Sequence, residues 1–315
     1  MAGCFTKVVQ ILAILVSSLT LSACISKDTA YWSEYEQSLR RAGGLRTERD
    51  PPEITFSNAQ FLRNFREIMF YDEYAEEDGE FVLKRVPRLL EKRRGETTYT
   101  LSGKSVQPTD RQQVAGIALR ISEAIGIDVR KSEEAADISI FIGDHAERLQ
   151  LADFFETRYP DSPLVDELRN GLGDNVCVAV PFYSEDSNED ASYLILIPGE
   201  LSGILRQACI EEEFGQAFGP AADFDGARPS IFNDDQEFAL FTAHDELLFR
   251  VLYDRRLRAG MSEQEAMPIV ERIIAELRPN EPRKLHKGEG AKGDARATRE
   301  SGKIDRSQDT KAQSL

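Results

Sequence analysis

The sequence predicts an α+β domain built around one sheet, and three observations carry that expectation. Short β-prone runs fill the stretch from Thr97 to Ile197, a long amphipathic helix from Thr109 to Ile125 interrupts them, and the chain after Pro198-Gly199 reads as helices joined by loops. At 315 residues with 41% apolar content, the chain is long enough to bury a core of its own.

The chain opens with Lys7, the apolar run Val8 to Val16, and small residues at Ser22 and Ala23. These are the three regions of a secretory signal, in a run too short to span a bilayer. Leu21-Ser22-Ala23-Cys24 resembles the bacterial lipobox, which implies removal of residues 1–23 and acylation of Cys24. An ordinary cleaved signal is the alternative. Acyl chains on Cys24 would hold the protein at a bilayer surface on the periplasmic side of a bacterial envelope. Ile25 and Ser26, in place of an inner-membrane retention Asp, favour the outer membrane.

Residues 24–52 are polar, carry Gly43-Gly44 and Pro51-Pro52, and read as a tether with a short helix around Tyr31 to Arg41. The folded domain is expected over 53–278. Its first helix, Asn58 to Phe70, has Phe61, Leu62, Phe65, Ile68 and Met69 at helical spacing behind Ser57 as cap. Strands follow at Thr97–Leu101, then, beyond the long helix, at Ile127–Arg130 and the alternating Ile138–Ile142. A polar, helix-containing connection leads to strands at Val176–Pro181 and Ser192–Ile197 and to a helix carrying Cys209. After the loop Asp223 to Pro229, Ser230 to Asp235 is expected to lead into a helix carrying Phe238, Phe241, Leu247, Leu248, Val251 and Leu252, capped by Asn233 or Asp234. Ser262-Glu-Gln-Glu265 is a capping box for a last helix kinked at Pro268. Residues 279–315 are almost free of apolar side chains and are expected to be disordered.

A formal net charge of −16, with a net basic tail, leaves a strongly acidic body. That excludes nucleic acid as a partner and suits cationic ones. With Cys24 lipidated, Cys177 and Cys209 remain in an oxidising compartment, either as a disulfide or as two buried thiols.

The chemistry centres on Cys209 to Gly219. Zinc peptidases place two histidines four residues apart on a helix with a glutamate after the first. Here Glu213 stands at the position of the base, while Glu212 and Gln216 stand at those of the ligands. Three features resemble zincin-type peptidases of the metzincin and matrixin sort: Glu212-Glu213-x-x-Gln216-x-x-Gly219, the turn Ser230-Ile231-Phe232, and Asp245 followed by Leu252-Tyr253. The same residues, with Pro229 to Asp235 and the segment Phe238 to Tyr253, resemble a proteobacterial family of lipoproteins catalogued only as a domain of unknown function. These resemblances imply a zincin-like fold in an envelope lipoprotein and no established activity.

A three-histidine zinc site is excluded by the scarcity of histidine. The chain has three histidines, His145, His244 and His286, and position 222, where a third ligand would stand, is Ala222. Glu212, Glu213 and Gln216 offer oxygens to calcium or magnesium at most, and a single helix converges few of them. No cofactor is implied. His244-Asp245 invites a catalytic reading beside a structural one, and Glu212 with Gln216 can line a cleft wall. The expected function is a catalytically inactive binding or structural domain for an envelope protein or peptide; the alternative is a hydrolase with Glu213 as base and an atypically ligated cation.

Overall fold

The computed structural model describes residues 28–77, 80–160, 162–172, 175–184 and 190–279. The expected signal over residues 1–23, Cys24 and the segment from 280 onward, expected to be disordered, lie outside the described residues. The first element, α1 (Thr29–Arg41), falls in the stretch read as a tether and packs on the domain, with Trp32 only 4% exposed. Its Glu36 accepts a hydrogen bond from the backbone N–H of Leu205 at 3.2 Å, so a carboxylate borrowed from α1 caps a later helix.

Ser57 and Gln60 form a reciprocal capping box that starts α2 (Asn58–Met69), and Phe61, Phe65, Ile68 and Met69 bury its apolar stripe. A hairpin follows that the sequence pattern does not announce: β1 (Tyr71–Glu77) pairs antiparallel with β2 (Glu80–Pro87). β1 reads YDEYAEE, acidic rather than β-branched, and pairing rather than propensity makes it a strand.

The main sheet is built next. β3 (Thr97–Ser102) leads to α3 (Pro108–Ile125), which starts with Pro108 in its first turn and stops at Gly126, with φ of 71°. β4 (Val129–Lys131) and β5 (Ile138–Gly143) follow, then α4 (His145–Arg158) and α5 (Pro163–Arg169), then β6 (Val178–Phe182) and β7 (Ser192–Pro198). Strand order is β4-β3-β5-β7-β6, parallel throughout except for β6, which runs antiparallel on its edge beside β7. The expected antiparallel edge is therefore present, on a mixed sheet whose strands alternate with helices more than an α+β reading supposes.

α6 (Gly203–Gln216) carries the glutamates, followed by α7 (Ala243–Leu252) and α8 (Glu263–Leu277), the latter capped by Ser262 and Glu265 and containing Pro268. Eight helices are present among the described residues. The helix expected to carry Phe238 and Phe241 is shorter than its apolar pattern: α7 begins at Ala243, and neither Asn233 nor Asp234 caps it. Thr242 does, its Oγ1 and the Asp245 carboxylate closing a capping box, while Phe238 is held extended by a parallel bridge to Arg46. A tertiary contact thus outweighs local periodicity there.

Two ties fix α6. Asp110 on α3 receives Arg206 at 3.0 and 2.5 Å, a buried fork whose remaining donors reach the carbonyls of Leu201 and Ser105. Cys209 forms a disulfide with Cys177, just before β6, as one of the two sequence-level alternatives supposed. The bond closes 32 residues of chain, which in the chain-entropy account is worth about 3–4 kcal/mol. Replacing both cysteines by alanine is expected to lower the unfolding free energy by roughly that amount in urea denaturation; an unchanged midpoint would show that β6 is held to α6 without it.

Candidate functional site

α6 presents three consecutive glutamates about 100° apart, so each meets a different environment. Glu211 is structural. It is buried, accepts the backbone N–H of Phe241 at 2.7 Å and pairs with Arg120 at 2.8 Å. Glu212 and Glu213 instead turn toward other carboxylates. Glu212 shares a hydrogen bond with Asp223, and Glu73 from β1 and Asp234 add their charges to it. Glu213 faces Asp223 and Glu73 and receives the backbone N–H of Ala179 on edge strand β6. Exposure grades outward through the cluster: Glu213 is 5% exposed, Glu212, Asp223 and Glu73 are half-buried, and Asp234 is on the surface.

Burial, more than any neighbour, lifts these carboxyls above their ordinary range, because a charged carboxylate loses its hydration. For Glu212 the next cause is the charge of Glu213; for Glu213 it is Asp223; for Asp223 it is Glu212. Glu73, held up by burial and then by Asp234, is raised to about 7. No lysine or arginine forms an ion pair with Glu212, Glu213 or Asp223 among the described residues. Glu213 Oε2 and Asp223 Oδ1 are buried with no hydrogen-bond partner there. A cluster of this kind holds protons until a cationic group displaces them.

The backbone beneath is set by close contact. A Cβ on Gly215 would lie 2.7 Å from the Phe241 ring and 3.1 Å from that of Phe232, so only glycine lets α6 settle on these rings. Gly219, with φ of 135°, turns the chain after α6. Phe232 is held there by the turn Ser230-Ile231-Phe232, which the buried carboxylate of Asp245 ties down. It accepts Ser230 Oγ at 2.5 Å, Ile231 N at 3.1 Å, Thr242 N at 2.8 Å and Thr242 Oγ1 at 2.9 Å.

The residues singled out from sequence therefore separate. Glu212 and Glu213 come together in the cleft. Gln216, half-buried one turn on, contributes its carbonyl to the Gly219 N–H. His244 is enclosed between the rings of Phe56 and Phe61, its Nε2 at 3.0 Å from the Asn64 amide, which fits best when turned so that its oxygen accepts. His244 Nδ1 lies 3.6 Å from Asp245 Oδ1, beyond a hydrogen bond. Both side chains lie in the core; Asp245 has its donors there, whereas His244 is held through Nε2 and its Nδ1 is buried with no hydrogen-bond partner among the described residues. Sequence reasoning missed Glu73 and Asp223, because one lies on an unannounced hairpin and the other in a stretch read as loop chemistry. Among the described residues no group of three or more His, Cys, Asp or Glu is placed so that it could hold a metal ion.

Fold and site together define a mixed α/β domain whose edge strand, hairpin and central glutamate helix enclose an acidic cleft. The chain belongs to the family described as "Protein of unknown function (DUF2927)", whose model matches residues 58–272 and so takes in every cleft residue. No curated protein matches the chain.

The raised carboxyls set a pH dependence with a definite sign. Free Glu releases its proton near 4.5, whereas Glu73 in the fold holds it to about 7. Across that window the native state binds more protons than the unfolded one, so stability is complete below the window and falls as pH rises through it. Glu73→Gln is expected to flatten the decline in unfolding free energy between about pH 4.5 and about 7; a decline as steep as in the wild type would assign it to other groups.

Proposed function

We propose that the protein is a lipoprotein of the bacterial envelope, anchored through Cys24, in which a zincin-like scaffold without the peptidase metal binds a cationic group of an envelope protein or peptide. The Leu21 to Cys24 pattern supports the anchor. An edge strand running antiparallel beside a parallel sheet, the glycine turn after α6, and the Ser230–Phe232 turn tied to Asp245 support the scaffold.

One observation carries the binding reading: Glu213 is buried among Glu212, Asp223 and Glu73, and one of its oxygens has no partner among the described residues. A lysine or arginine entering the cleft supplies the missing donor and turns mutual repulsion into attraction. The outer edge of β6, which no strand covers among the described residues, lies beside it, so an extended peptide can lie along the strand while its side chain reaches Glu213. A hydrolase is the second reading, and the raised Glu213 favours it in one respect. A carboxyl that burial and neighbouring acids hold well above the ordinary glutamate range suits the role of general acid better than that of base.

Titration of the purified chain with a lysine-rich peptide is expected to show saturable binding that strengthens as pH rises and the carboxyls ionise. Glu213→Gln should weaken it roughly tenfold with the fold unchanged. Equal affinity in that variant would overturn the binding reading, and peptide cleavage abolished by the same substitution would establish the hydrolase.

A further inference from the structure

A second concavity is opposite in charge. The segment after β2 and the start of the loop before β7 enclose a hollow of about 380 Å³ lined by Arg93, Arg94, Tyr183, Tyr193, Phe218 and Ala259, among others. Lys92, Arg93 and Arg94 also line a neighbouring hollow of about 620 Å³ together with Arg258. Such a concentration of cations is unexpected on a chain of net charge −16.

Arg93 lies at the centre. It is 4% exposed, yet no carboxylate pairs with it among the described residues. Its Nε donates to the Ala217 carbonyl at 2.9 Å and its Nη1 to the Ala191 carbonyl at 2.6 Å, while the guanidinium stacks over the Tyr193 ring, 5.2 Å from its centroid. Nη2 is buried with no partner there. The surrounding acids are engaged elsewhere: Asp190 with Arg94, and Glu91 with Arg88 and the Tyr183 hydroxyl. This buried guanidinium spends two donors on neutral carbonyls, leaves a third unused and has no carboxylate partner among the described residues, and burial without a counter-ion is costly. Lys92 adds to the same field, its Nζ gathered by the carbonyls of Leu252 and Leu257 at 3.0 Å each.

We propose that this hollow is an oxyanion site, which takes a carboxylate or phosphate group against Arg93 while Tyr193, Phe218 and Ala259 receive the apolar body of the ligand. The size suits a small molecule or a chain end. The site uses none of the cleft carboxylates, and its failure would leave the reading of that cleft untouched.

The test is calorimetric titration of the full chain at constant ionic strength with inorganic phosphate, with hippurate, and with the neutral hippuramide as control. Saturable binding of phosphate or hippurate, without binding of the amide, is expected, and whichever anion binds identifies the source chemistry. Arg93→Lys keeps a charge and removes the fork; Ala259→Phe fills the hollow and leaves every bond of Arg93 in place. Each should weaken binding at least tenfold, and Ala259→Phe decides alone if Arg93→Lys fails to fold by circular dichroism. Glu213→Gln should bind the anion as the wild type does. No binding of either anion, equal binding of the amide, or wild-type affinity in folded Ala259→Phe would overturn the proposal.

Discussion

The buried carboxylate of Asp245 is the constraint on which the cleft depends. It gathers donors from the Ser230–Ile231 turn and from Thr242, and so joins the start of α7 to the loop after α6. A fully buried charge is tolerable only when its hydrogen-bonding capacity is filled, and here four donors fill it. The turn then holds Phe232 against Phe241 and Phe249, and those rings set the height at which Gly215 lets α6 settle. The directions of Glu212 and Glu213 follow from that height.

Above this base the glutamates divide their work. Glu211 secures the helix through Arg120 and Phe241, as Arg206 does through Asp110. Glu212 and Glu213 are left facing other acids, at a cost in stability that packing elsewhere must offset. The disulfide to Cys177 keeps β6 beside α6, where Ala179 meets Glu213. The cleft is thus a destabilising feature on a well-supported frame.

Much of the frame was legible in sequence because its signals are local. The stripe of α2, the Pro108 start of α3, the alternation of Ile138 to Ile142 and the Ser262 box each specify an element without reference to distant residues. The start of α7 was not, since Phe238 and Phe241 have a helical spacing that the contact with Arg46 overrides; the Thr242-x-x-Asp245 box held the better signal. Half of the cleft was legible too, as Glu212 and Glu213 on one helix. Glu73 and Asp223 were hidden because a hairpin and a loop bring them in across sequence separations that no periodicity records.

Glu213 sits buried among like charges, and among the described residues no lysine or arginine pairs with it. Site-resolved carbon NMR of the glutamate side-chain carboxyls, followed through a pH titration and assigned with Glu213→Gln, measures this directly. The account predicts a midpoint well above the 4.5 of a free glutamate. A midpoint at or below 4.5 would mean that a cation or a donor already satisfies the carboxylate, and would contradict the acidic cleft.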